Sequence, residues 1–120
     1  MLTLPPSTRV YVATAATDMR RSFDGLMGLV RDFLGGDPLS GHLFVFRNRA
    51  GDRLKVLWWD RDGLAIFYKR LEEGTFAFPP ATGDVPQVEM TAADLQLVLQ
   101  GIDPARVNRS KRYRRPTPSA

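Results

Sequence analysis

Arg106, Arg109, Lys111, Arg112, Arg114 and Arg115 put six cations and no acid into the last fifteen residues of a 120-residue chain. Groups of this charge and density suit phosphate oxygens. Each contact releases a counterion, so binding would fall steeply with salt. Tyr113, within the same run, can stack on a base or pack in a minor groove. Such contacts hold a polymer in place without reading its sequence. A basic tail can also serve only to keep a chain in solution, and composition leaves both readings open.

A second group of residues lies in "KVLWWDRDGLAIFYKR", residues 55–70. Asp62-Gly63 favours a tight hairpin turn. With that pair at the centre, Leu54 faces Leu71, Val56 faces Lys69 and Trp58 faces Phe67, which is mainly a core surface. The opposite surface pairs Lys55 with Arg70, Leu57 with Tyr68 and Trp59 with Ile66. Cations then stand beside aromatics, as on a nucleic-acid platform. A binding role for Lys55, Trp59, Tyr68 and Arg70 requires that surface to be open. Two aromatics pointing to opposite sides of one strand more often mean that both sides are covered, so Trp59 is weighted towards the core or an interface.

Few residues could do covalent chemistry. His42 is the only histidine and there is no cysteine, so thiolate chemistry is excluded and a His/Cys metal site has no second ligand of that kind. Asp60 and Asp62 sit in a turn, where acids are common for conformational reasons. A two-metal nuclease needs several converging carboxylates, and no such pattern is present. Ser22 and Ser40 have no evident base, and no glycine-rich phosphate loop occurs. The expectation is a protein without catalytic residues, metal or cofactor.

The elements that must position these groups follow from periodicity. "RVYVA" reads as a strand. Phe23, Leu26, Met27, Val30, Phe33 and Leu34 form a helical stripe, opened by Ser22 and closed by Gly35-Gly36. Gly25 and Gly28 lie off the stripe and could mark the close approach of another backbone. "HLFVFRN", "RLKVLWWD", "LAIFYKRL" and "TFAFP" read as strands with period two, and "VEM" follows a loop. Thr91 caps a second helix, with Asp94 three residues on and Met90 able to pack on Leu95. Its stripe is Leu95, Val98, Leu99 and Ile102, and Asp103-Pro104 stops it.

The hydrophobic fraction of 43% fits one core. The order of elements predicts a single compact α+β domain over residues 1–104: an antiparallel or mixed sheet of five to six short strands packed by two helices. Residues 105–120 are expected to form a flexible basic tail. The body carries eleven cations against thirteen acids, a net of −2, while the tail carries +6. No apolar run is long enough to span a membrane and none resembles a leader, so a cytoplasmic protein is expected.

The blocks "TDMRRSFDGL", "DPLSGHLFVFRNRAGDRLKVLWWDRDGLAIFYKRLEEGTF", "MTAADLQLVLQGID" and "KRYRRP" resemble the TnpB accessory proteins encoded by the second reading frame of the bacterial insertion-sequence family sixty-six. The similarity spans about Thr8 to Pro116. It is most specific from Gly41 to Leu71. Ala65, Phe78 and Gln100 stand where Cys, Trp and Glu are common in the family. The resemblance implies a nucleoid-associated role in DNA transposition beside a separate, larger transposase, and carries over no catalytic residue. The implied partners are DNA at the insertion-sequence ends, the transposase with other element-encoded proteins, and a second copy of the chain. The competing expectation is an adaptor or oligomerisation module that does not touch DNA.

Overall fold

Leu43, Phe44, Val45 and Phe46 run without polar alternation, the pattern of a strand covered on both faces. The computed structural model, which describes residues 7–80 and 83–106, places them in the middle strand of a five-stranded mixed sheet. The strands are β1 (Val10–Ala13), β2 (Leu43–Arg47), β3 (Arg53–Asp60), β4 (Gly63–Arg70) and β5 (Gln87–Met90), in the order β4-β3-β2-β1-β5. β1 and β2 are parallel, joined through the helix between them, and the other pairings are antiparallel. With helices α1 (Phe23–Leu29) and α2 (Ala92–Leu99), this is the α+β domain the pattern of elements predicts.

Alternation along β2 divides the core in two. Phe44 and Phe46 join Leu26, Val30, Leu34 and Leu57 beneath α1, whereas Leu43 and Val45 join Val10, Val56, Leu95 and Val98 beneath α2. Each such side chain, fully buried, stabilises the fold by about 1.5–3 kcal/mol relative to exposure.

The first helix differs from its predicted form. After Leu29 the chain widens into a π-helical turn, Val30–Leu34, which ends at left-handed Gly35 (φ 67°). Each residue of a wide turn is rotated less than in an α-helix, so Leu34 rather than Phe33 comes round beneath Val30. Phe33, expected in the stripe, is 67% exposed. Ser22 occupies the N-cap position without a side-chain hydrogen bond. Gly25 and Gly28 meet no neighbouring backbone; the close approach is at Gly36, where a Cβ would stand 3.0 Å from the Phe44 ring.

In α2, Thr91 accepts a hydrogen bond from the Asp94 amide, as its capping signal predicts. The helix ends earlier than expected. Gly101 is left-handed (φ 81°), its amide donates to the Val98 carbonyl, and the Ile102 amide donates to the Leu97 carbonyl. This Schellman arrangement leaves Ile102 exposed rather than in the stripe. Asp103-Pro104 therefore does not stop α2: Asp103 caps a new helical turn, accepting from the Ala105 amide. The predicted "TFAFP" strand does not form. Phe76 donates its amide to the Gly51 carbonyl and fills the α2-side core without joining the sheet.

The β3–β4 hairpin spans the predicted residues with a register displaced by two. Asp60 stands opposite Gly63, so Arg61 and Asp62 form the turn, with Arg61 at a positive φ of 60°. Asp62-Gly63 is therefore not the central pair. A displacement of two keeps every side chain on its predicted face and changes every partner. Trp58 lies opposite Ala65, while Phe67 lies opposite Val56. Both Trp58 and Phe67 still pack against the α2-side core.

Candidate nucleic-acid interface

On the α1 side of the hairpin, Lys55 is paired with Tyr68 and Arg53 with Arg70. The Lys55 side chain is spent on the fold. It is 7% exposed, and its Nζ donates to the carbonyls of Met19 at 2.8 Å and Arg21 at 2.7 Å. A buried ammonium needs such acceptors to offset desolvation. Lys55 is thus not the surface cation expected beside Arg70. Its ammonium also lies over the Tyr68 ring, 4.7 Å from the centroid, and Tyr68 remains 48% exposed.

The carbonyls that hold Lys55 belong to the loop between β1 and α1. Arg47 pins the same loop, donating to the Thr14 carbonyl at 2.8 Å while its own carbonyl accepts from the Thr17 amide at 2.8 Å. Opposite stands the β2–β3 turn, shaped by Asn48. Its Oδ1 accepts from the Gly51 and Arg53 amides, its Nδ2 donates to Asp52 at 2.7 Å, and Gly51 takes a positive φ. The turn leaves Arg49 exposed.

Loop, turn and hairpin enclose an open groove of about 660 Å³ lined by Asp18, Arg20, Asn48, Arg49, Arg53 and Tyr68, among others. Arg20 binds Asp18 through both Nε and Nη2, the latter at 2.7 Å, and holds that carboxyl down to about 2. The ion pairs among the described residues involve neither Arg49 nor Arg53. Arg70 adjoins Arg53 and lies 3.9 Å from Glu72 in an exposed pair, which holds it weakly. Free guanidinium groups beside an open aromatic ring can bind phosphate in a bidentate manner and stack on a base.

The residues singled out from the sequence are divided by the structure. Tyr68 lines the groove, and Arg70 stands opposite Arg53, which lines it too. Trp59 is half-buried opposite Leu64, near the hairpin tip and about 20 Å along the strand from Arg53. Arg106 is exposed, while Arg109, Lys111, Arg112, Tyr113, Arg114 and Arg115 lie outside the described residues. Sequence reasoning missed Arg20, Arg49 and Arg53. The local signal for Arg49 and Arg53 is that "RNRAGDR", residues 47–53, packs three cations around a turn. Among the described residues no group of three His, Asp or Glu side chains is placed to hold a metal ion, and no helix is long and apolar enough to cross a membrane.

The IS66 Orf2-like family model matches residues 8–109, which takes in every strand, both helices and the groove. The chain belongs to the IS66 Orf2-like family. That is the family of a transposition-associated accessory protein of insertion sequences. Two uncharacterized proteins of Sinorhizobium fredii are similar across nearly their whole lengths. Protein y4hO is 44% identical over 103 residues, covering 86% of this chain and 88% of the relative. Protein y4jC is 40% identical over 109 residues, covering 91% of each. No solved structure matches the chain significantly.

Proposed function

We propose that this protein is a non-enzymatic accessory factor of insertion-sequence transposition that binds DNA of the element at the nucleoid. The observation that carries the reading is the groove, where Arg49 and Arg53 form no ion pair among the described residues and stand beside exposed Tyr68. The six tail cations add phosphate contacts on the same chain. The body brings shape and two guanidinium groups at one groove; the tail brings charge.

The test is a salt titration of binding to a duplex carrying the element's terminal repeat, using the full chain. Log affinity should fall linearly with log salt. Arg49→Gln with Arg53→Gln should flatten the slope by about two, and replacing the six tail cations by Gln should flatten it further. Affinity independent of salt and of both sets of substitutions would refute DNA binding.

A second reading has its own support. Phe33 is 67% exposed beside an apolar groove of about 300 Å³ formed with Ala15, Leu29, Leu34 and Pro86. An open aromatic beside apolar surface suits a protein partner, here the element's transposase. On this reading Phe33→Ser abolishes co-purification with transposase from nuclease-treated lysate while leaving DNA affinity unchanged. Unchanged co-purification of the folded variant would remove the adaptor role from this surface.

A further inference from the structure

We infer that Tyr68 is the stacking platform for an unpaired nucleotide, and that the groove binds single-stranded DNA in preference to duplex. This deepens the DNA-binding reading and rests on it.

The inference begins with what lies under the ring. Lys55 covers one face of Tyr68, and two backbone carbonyls hold its ammonium in place. The ring is therefore set before any ligand arrives, which lowers the ordering cost of binding. Nearly half of Tyr68 is still open, and the residue lines the groove. An aromatic side chain buttressed on one face and open to a cationic groove offers a flat apolar surface with phosphate-binding groups beside it.

The neighbouring residues fit a nucleotide better than an isolated anion. Arg53 and Arg70 form the next cross-strand pair on this face, about 7 Å along the strands from Lys55 and Tyr68. Like charges placed directly opposite each other destabilise a hairpin, and Arg53 has no ion-pair partner among the described residues. A phosphate between the two guanidinium groups would relieve that repulsion. Its base would then be one short backbone step from the Tyr68 ring. In a duplex the base faces are already stacked on one another, so only an unpaired nucleotide can use both the ring and the cation pair.

The test uses the full chain and three fluorescent probes: a 12-mer of deoxythymidine, a 12-mer of uridine, and a 12-base-pair duplex. Tyr68→Ala should weaken the deoxythymidine 12-mer about tenfold and leave duplex affinity within about twofold. Tyr68→Phe, which keeps the ring and removes the hydroxyl, should bind like the unaltered chain. Arg53→Gln should weaken both DNA probes. Circular dichroism would verify that the Tyr68 and Arg53 variants are folded.

An equal loss on single strand and duplex, or no loss on either, would overturn the stacking site while leaving DNA binding intact. Loss on Tyr68→Phe would reduce the residue to a hydroxyl donor and also overturn it. Tighter binding of the uridine 12-mer would assign the groove to RNA, against the inference. Failure of the full chain to bind any of the probes or the terminal-repeat duplex would instead refute the DNA-binding reading itself.

Discussion

Lys55 and Lys69 belong to one hairpin, point to opposite faces of the sheet, and each ends on backbone carbonyls. Lys69 Nζ donates to the Leu99 carbonyl at 2.6 Å, where the last turn of α2 has an unpaired acceptor and a negative dipole end. Lys55 does the same for the loop leading into α1, at the Met19 and Arg21 carbonyls. The outcomes differ because of what stands above each lysine. Lys69 meets a helix end over a closed core. Lys55 meets a loop edge, with an open ring and a groove beside it. The difference teaches that equivalent fastening can leave one face sealed and the other available to a ligand.

The largest break in this comparison is expected from Lys55→Met. It removes two charge-assisted hydrogen bonds, so stability should fall by about 2–4 kcal/mol. A lower urea midpoint at unchanged slope would measure it. Loosening of the Met19–Arg21 loop should weaken groove binding as well.

Lys69→Met should cost less, about 1 kcal/mol, because one half-exposed bond at a helix end is lost. It should leave binding at the groove unchanged. A Lys69 variant that impaired binding as much as its Lys55 counterpart would erase the distinction between the faces.

The smallest effect concerns the groove wall. Arg20 depresses the Asp18 carboxyl to about 2, so that pair supports the fold above the ordinary carboxylate range near 4. The support fades as pH falls from about 4 through about 2. Arg20→Gln should raise the Asp18 midpoint towards the ordinary range without reaching it, because the residue-20 amide still donates to the carboxylate. A carbon-detected NMR titration would read this, and an unmoved midpoint would show that another group holds the carboxylate.

Much of the scaffold is legible locally. β3 occupies the predicted "RLKVLWWD", and Thr91 caps α2 with the bond its spacing implies. The faces of the hairpin follow from alternation alone, which survives a slip of two. The register itself is not legible, because Asp62-Gly63 is the stronger turn signal, yet Arg61 takes the left-handed position. The widened turn that expels Phe33 leaves no mark in a helical stripe. Close packing at Gly36 depends on Phe44, which comes from the next strand.

The candidate site divides in the same way. Tyr68 and Arg70 could be placed on one face from the sequence, and the tail cations are plain from composition. Arg53 shares that face by alternation, though only the register sets it opposite Arg70; Arg20 and Arg49 could not be joined to them, because their meeting depends on packing between segments distant in the chain.

What the sequence by itself determined is therefore most of the elements, the face on which each hairpin side chain lies, the uneven distribution of charge, and the likeness to an insertion-sequence family. Each is encoded in neighbours a few residues apart or in whole blocks of residues. Only the tertiary structure decided which cations are free. Lys55 reaches carbonyls 36 and 34 residues away, while Arg53, two positions earlier on the same face, has no ion-pair partner among the described residues. Alternation says which way a side chain points. What it meets there, and so whether its charge is buried in the fold or offered to a ligand, is fixed by long-range packing.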